Sequence, residues 1–506
     1  MDENKSRESS ESVAAARFKT FRQEALSTRM VGFAFSRCWI YMVFHNISLL
    51  INRVQVDKTL DSIFIISLVT LVVVLVISGI TNKRCLSLMK NKYGIWAGAA
   101  LSIIGTSFFT FSGMSSSGQL ASLAIAGVAT GAGSGLLILF WGKMFSQIGG
   151  PSAAAESSVA FILGTLPVPL FLLAPFFFQV AVVTLLPVAS TLLLVLEQRK
   201  TDKPEYIKEC IKAEDDMGRP WQLEIIGLDL KKLTLKIVSS SIVFGCVVSL
   251  IRAVCTNRGL VELGTGFGMI LPLSALCAGG ITLFVLFFSK RLDLAFTYRP
   301  VLIFMSLGCC LLPFFYNSGI LAYLLTMTGY LCFEIMNWVI LSDASSRFEI
   351  SPFRIFGFGR ASVSGGVLVG AVLGNFLSAT VDYSLEFIAS FSLAMVFIMI
   401  VTYTFTLTER DVAKLTKQRS QYPVMPSDSV DNLLSLDDKV SILAEEHDIS
   451  GRGLEVLRLL AKGRTGVRIE QELYMSRGTV NTHMRQLYQK LDVHTRQNLL
   501  DKLDDI

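Results

Sequence analysis

Apolar positions fall along this chain in two rhythms. Between residues 30 and 407 they form runs of about 20 residues with few charges, the length an α-helix needs to cross a bilayer. Such runs occupy 30–51, 60–81, 93–113, 118–141, 153–173, 177–196, 234–255, 265–288, 299–317, 319–341, 354–378 and 385–407. The cut near Pro167, Pro169 and Pro175 is the hardest to place, because two runs nearly fuse there. Beyond Thr408 the runs end, and apolar residues recur three and four apart, as on amphipathic helices. The pattern predicts an all-α chain: a polytopic membrane helix bundle of about twelve spans, six and six, followed by a small four-helix domain. The expected divisions are a tail at 1–28, the bundle at 29–408 with a central charged loop at 197–232, a linker at 409–445 and a terminal module at 446–506.

The terminal module carries the most punctuation. Ser450 is placed to open a helix whose Leu454, Leu457, Leu460 and Ala461 share a face, and Gly463 stops it. A short segment with Val467, Ile469 and Leu473 follows, and Ser476 supplies an N-cap for a third helix. On that helix Val480, Met484, Leu487 and Leu491 fall in one narrow arc, with Asn481, Thr482, Arg485 and Gln489 opposite. One face packs and the other is free to enter a groove.

Two helices, a tight turn and a third helix with a polar, basic face form the helix-turn-helix pattern. The run Ser450, Arg452, Leu454, Glu455, Val456, Leu457, Leu460, Ala461, Gly463, then Ser476, Thr479, Val480, Thr482, His483, Leu487, Tyr488, Lys490, Leu491, Val493 and Arg496 resembles the LuxR-type DNA-binding domain over about the last 55 residues. The resemblance implies double-stranded DNA as partner, with Asn481, Thr482 and Arg485 facing bases and Arg477, Thr479 and Gln489 beside them. Two positions depart from the family pattern. Gly453 stands where Glu usually closes a capping box, so the first helix is expected to start late or fray. Asn481 stands where Lys is common, and Asn pairs with an adenine edge whereas Lys prefers guanine or phosphate. Helix-turn-helix dimers bind paired half-sites, which makes a homodimer the expected DNA-bound form and Thr495–Leu503 the candidate dimer helix. A short helix through Leu433, Val440 and Leu443 is expected before the module, as a lever, a dimer contact or a cushion.

Composition agrees with a membrane body: 52% of residues are hydrophobic and 17% charged, against ~25% charged in soluble proteins. Residues 1–28 lack the apolar core of a signal peptide, and Val13–Leu26 is either a basic surface helix or a solvated tail. Nine cysteines lie scattered without metal spacing, and neither a catalytic constellation nor a cofactor motif stands out. The sequence therefore points to no enzyme, no metal and no cofactor.

Charge between the runs sets the topology. One side holds Arg17, Lys19, Arg22 and Arg29, Lys83 to Lys92, Lys143, the loop from Arg199 to Lys232, Lys290 to Arg299, Arg347 and Arg354. The other holds Arg53, Lys58, Arg252 and Arg258. The positive-inside rule places the N-terminus in the cytoplasm, and an even span count returns the C-terminus there, as expected of an inner-membrane protein with a DNA-binding tail. The six-plus-six division resembles the major facilitator superfamily over residues 30–408, although Thr81–Tyr93 has Lys83 and Arg84 without that family's acidic partner. Gly127, Gly131 and Gly135, and again Gly366, Gly370 and Gly374, form ladders that suit close helix packing or a dimer face.

Ionisable groups within spans are costly and mark functional candidates. The superfamily likeness implies that the first, fourth, seventh and tenth spans line a cavity. Arg37, His45 and Asn46 lie on the first, Glu334, Asn337 and Trp338 on the tenth and Arg360 on the eleventh. Counted at ~1.5 Å per residue, Arg37, Glu334 and Arg360 reach a similar depth. Together with Trp141 and Trp338 as stacking walls they would suit an acidic or phenolic small molecule, or form an internal ion pair that locks the bundle. His45 is either a ligand-bonding, pH-sensitive group or a histidine satisfied within the bundle, and Glu156 is expected at the membrane edge. The sequence reads as a membrane-bound one-component transcription regulator that senses a small molecule. The alternatives are a solute transporter with an autoregulatory DNA-binding tail and a tethered regulator without a ligand.

Overall fold

A computed structural model describes residues 27–45, 56–81, 93–111, 119–148, 150–201, 230–257, 265–288, 294–315, 319–348 and 351–405. Toward the C-terminus it describes 440–441, 443–444, 447, 449, 451–461, 469–470, 473, 475–491, 493 and 499. Asn46, the side chain of His45, Val13–Leu26, Leu433, Ser450 and most of the central loop, of the linker and of Thr495–Leu503 lie outside the described residues. Two compact units emerge, Met1–Gln418 and Arg419–Ile506, each with its own core.

In the first unit the helices are α1 Thr28–His45, α2 Val56–Ile80, α3 Tyr93–Phe111, α4 Gln119–Phe145, α5 Gly150–Thr165, α6 Val168–Leu172 and α7 Phe176–Thr201. A second set follows: α8 Leu230–Asn257, α9 Thr265–Phe288, α10 Leu294–Phe314, α11 Ile320–Phe348, α12 Pro352–Thr380 and α13 Leu385–Phe405. Nine segments among the described residues are long and apolar enough to cross a membrane, and 94–110 and 299–314 are shorter apolar helices. The twelfth, α1, is less apolar because it carries Arg29, Ser36 and Arg37. The proline-rich stretch is one span broken in two: Pro167 and Pro169 lack the N–H that an unbroken helix requires, and the chain turns between α5 and α6.

Packing repeats between the halves. As α3 packs on α4, α2 on α4, α1 on α5 and α3 on α7, so α10 packs on α11, α9 on α11, α8 on α12 and α10 on α13. The halves meet where α2 packs on α12 and α9 on α5, the same contact made twice. Glycine permits these approaches. A Cβ on Gly131 would lie 2.3 Å from the Ser67 carbonyl oxygen of α2, and one on Gly366 or Gly370 2.2 or 2.4 Å from the Ile242 or Cys246 carbonyl oxygen of α8. Both ladders are thus spent on packing within the bundle. Outward-facing Leu173, Phe177, Phe314, Leu393 and Phe397 are exposed, as residues that meet lipid tails must be.

Three residues counted as loop cations are not loop cations. Arg29 is buried in α1, Lys143 is buried at the end of α4, and Arg252 lies within α8 against the ring of Phe64, 4.4 Å from its centroid.

In the second unit α14 Arg452–Ala461 and α15 Arg477–Lys490 pack through Val456, Leu457, Leu460, Val480, Leu487 and Leu491. Gly451 adopts φ +59°, its carbonyl accepts from the N–H groups of Leu454 and Glu455, and the helix starts at Arg452. Gly453 then sits in the first turn, where it has no side chain to close a reciprocal cap. Val440, Leu443 and Ala444 are buried in the same core, so this part of the preceding segment cushions the module. Leu499 is also fully buried there, so at least this residue of the candidate dimer helix faces its own domain.

Gly366→Ala is expected to cost ~1–3 kcal/mol by overpacking and to lower the melting temperature of the detergent-solubilised protein. Its neighbour Gly365, where an added Cβ meets nothing within 4 Å, should accept Ala without loss. In the isolated fragment 419–506, Leu443→Ala should cost ~2–5 kcal/mol in denaturant unfolding if the cushion belongs to the core.

Candidate functional site

Arg37, Glu334 and Arg360 meet at the centre of the bundle, each about 4% exposed. Arg360 Nη2 lies 3.0 Å from Oε1 and 2.9 Å from Oε2 of Glu334, while Arg37 Nη1 stands 4.0 Å from Oε2. Tyr330, one turn from Glu334 on α11, donates its hydroxyl to Oε1 at 2.9 Å. Arg360 also donates to Asn337 Oδ1 at 3.3 Å, and Asn337 Nδ2 approaches Ser241 Oγ of α8 at 3.5 Å. The strong pair therefore lies within the second half, and the looser Arg37–Glu334 pair reaches across from the first.

A cavity of about 140 Å³ opens beside the cluster. It is lined by α1, α4, α8 and α11, the four spans that were expected, and also by α2 and α12. Its wall includes Arg37, Arg252, Arg360 and Glu334, with Tyr41 and Tyr323 among apolar neighbours. It occupies the halves of α1 and α11 remote from Thr28 and Phe348. Toward those two ends the bundle is closed by rings.

Those rings are where the expected stacking walls went. Trp338 lies off the cavity wall, packed on Phe33, Phe145 and Phe356 with centroids 4.6, 5.5 and 5.2 Å away. Trp141 lies deeper, its indole N–H donating to Ser190 Oγ at 3.1 Å, and that hydroxyl donates to the Gly32 carbonyl at 2.7 Å. Gly32 and Gly142 make the room: a Cβ on either would come within 2.5 Å of the Trp141 or Phe356 ring. Asn337 likewise serves the ion cluster rather than the cavity wall. The Ser342 hydroxyl of α11 donates to the Phe145 carbonyl of α4 at 2.5 Å, which ties the halves on the closed side.

Sequence reasoning missed a second buried ion group. Arg29 grips Glu156 with two bonds, Nε to Oε2 at 2.7 Å and Nη2 to Oε1 at 2.6 Å, and its Nη1 lies 3.6 Å from Glu197, which Thr28 also bonds. Glu156 is 2% exposed, and with Arg29 at the start of α1 and Glu197 in the last turns of α7 it forms a buried group at that end of the bundle, joining α1, α5 and α7. The Arg29 position directly before an apolar run, matched by a carboxylate within another, was the available signal. Arg252 was overlooked because it had been counted among loop charges, although it lies inside its own span.

In the second unit, Ser476 Oγ accepts from the Thr479 N–H at 3.2 Å and caps α15. The Thr479 hydroxyl is 2.8 Å from Ser476 Oγ and belongs to that cap. Asn481, Thr482, Arg485 and Gln489 form one exposed face, with Arg477 exposed at the helix start. Val480 and Leu487 are buried opposite, and Met484 and Tyr488 pack beside them. The geometry is that of a helix with one face anchored and the other presented to solvent.

Residues 447–503 match the family described as bacterial regulatory proteins, luxR family. Comparison with curated proteins finds no match. Among solved structures, the major facilitator superfamily proton:xylose symporter XylE bound to 6-bromo-6-deoxy-D-glucose is similar at TM-score 0.53 and 11% identity, covering 79% of this chain and 99% of its own. A bacterial homologue of the iron transporter ferroportin in its outward-facing state is similar at TM-score 0.54 and 15% identity, covering 78% and 99%. At these identities the likeness is one of fold. The chain is a multi-pass membrane protein that carries a LuxR-type helix-turn-helix domain on a body with the major facilitator fold.

Proposed function

We propose that this protein is a membrane-bound one-component transcription regulator: the bundle senses a small molecule, and the terminal module binds promoter DNA. The observation that carries this reading is the union, in one polypeptide, of an exposed polar helix face of LuxR type with a bundle whose centre holds an ionic contact between its halves. Asn481, Thr482 and Arg485 would face base edges, with Arg477, Thr479 and Gln489 at the phosphates or the flanks of the groove. Arg37, Glu334 and Arg360 would form the sensing centre, with His45 and Asn46 as further ligand-binding candidates.

A ligand shifts a two-state bundle only through a difference in affinity for the two states. An acidic or phenolic molecule that competes for Arg37 would supply that difference, because the Arg37–Glu334 contact spans the halves. The positive-inside distribution of the remaining loop cations supports cytoplasmic termini in the inner membrane, and paired half-sites support a homodimer on DNA. The shared fold with a symporter is the observation behind a second reading, a solute carrier whose tail regulates its own expression.

Arg485→Ala in the isolated fragment 419–506 is expected to weaken binding to its promoter roughly 5- to 150-fold, given ~1–3 kcal/mol per base contact. Unchanged affinity would remove the groove assignment. Reconstituted into vesicles, the intact protein should show no solute flux at ligand concentrations that change transcription in cells, and robust flux would establish the carrier reading instead.

A further inference from the structure

Arg29 and Arg37 stand two turns apart on α1, both buried, and they use their guanidinium edges differently. Arg29 presents its Nε–H and Nη2–H edge to the Glu156 carboxylate in a side-on fork, at 2.7 and 2.6 Å. On Arg37 the same two atoms have no hydrogen-bond partner among the described residues and are sealed from solvent, and its contact to Glu334 runs through Nη1, so a guest in the cavity takes this edge when the guanidinium turns toward it. Phe33, Phe161 and Trp338 surround the Arg37 guanidinium at 4.8, 4.8 and 4.9 Å from their ring centroids. Buried donors left without an acceptor are costly, and a guanidinium edge best fits a planar, bidentate acceptor.

The surroundings select further. Among the described residues lining the cavity, Arg37, Arg252 and Arg360 face one carboxylate, Glu334, and Arg360 already holds it. A cavity with a cationic surplus inside an apolar wall favours an anion. At about 140 Å³ it is smaller than the ~300–1,000 Å³ of drug-sized pockets, which limits the guest to roughly one ring. Tyr41, Phe44, Phe64 and Tyr323 supply aromatic surface.

We propose that the cavity binds a small aromatic carboxylate whose two oxygens accept from Nε–H and Nη2–H of Arg37, while Arg252 attracts the same charge from the wall of α8. This rests on the sensing reading and narrows it from acids or phenols to carboxylates. A phenol offers a single oxygen and cannot fill both arms of the fork. The bound carboxylate takes the edge of Arg37 that Glu334 leaves unused, and its negative charge beside that of Glu334 weakens the long Nη1 contact between the halves.

The test uses the full chain in lipid nanodiscs, with benzoate, phenylacetate and 3-phenylpropanoate as probes against their amides and phenol. Thermal unfolding and a promoter–reporter strain serve as the two readouts. Carboxylates should raise the melting temperature saturably, and amides and phenol should not. Arg37→Lys, which keeps the charge and loses the fork, should weaken carboxylate binding at least about tenfold. Arg252→Gln, at a half-buried site, should weaken it without unfolding the bundle. Phenol binding without carboxylate binding, Arg37→Lys binding as tightly as the parent, or no binding of any probe at millimolar concentration would each overturn the proposal. Carboxylates that bind the purified protein but leave the reporter unmoved would keep the fork and remove the sensing reading.

Discussion

A carboxylate held between two guanidinium groups inside an apolar bundle is the constraint to which the membrane unit answers. Ions buried away from water cost several kcal/mol each unless neighbours compensate them, and removing one partner of a buried pair typically costs ~3–5 kcal/mol. Glu334 therefore binds α12 to α11 through Arg360, and Tyr330 and Asn337 add one hydrogen bond each, to Glu334 Oε1 and from Arg360 Nη1. Arg37 is compensated less completely, by one long ionic contact and by three aromatic rings. The half that carries α1 is consequently held to the other half by an interaction weaker than those within it.

Around this centre the halves approach at backbone distance. Gly357 of α12 leaves 2.7 Å between an added Cβ and the Leu75 carbonyl oxygen of α2, and Gly279 of α9 leaves 3.1 Å to the Ser158 carbonyl oxygen of α5. In lipid, where helices gain nothing by hiding apolar surface from each other, such small-residue seams and the contacts they permit are what associate them. The two seams are equivalent in the repeat, so the halves rest on a pair of matched rails. Matched rails with one loose ionic tie between them suit a body that rocks.

Much of this was legible in the sequence, for identifiable reasons. Span positions could be read because lipid demands long apolar runs, and the Gly127 and Gly366 ladders because small residues four apart share a helix face. Arg37, Glu334 and Arg360 stood out because charges are rare in such runs, and helical rise alone put them at one depth. The roles of Trp141 and Trp338 were not legible: an indole facing inward looks the same whether it lines a cavity or plugs one, and only Gly32 and Gly142 across the bundle decide. The pairing of Arg29 with Glu156 was not legible, because a charge near the edge of an apolar run says nothing of a partner 127 residues away. In the terminal module the apolar arc of α15 was readable from periodicity, whereas the burial of Leu499 depends on tertiary closure that spacing does not encode.

The indole of Trp338 has a property of its own. It lies 4.9 Å from one guanidinium carbon and 5.4 Å from another, sealed from solvent by aromatic neighbours. Light emitted by such a ring is tuned by the electric field across it, and here that field comes from charges whose balance is set within a few ångströms. With the other four of the five tryptophans replaced, the emission of Trp338 would follow that balance without any attached dye.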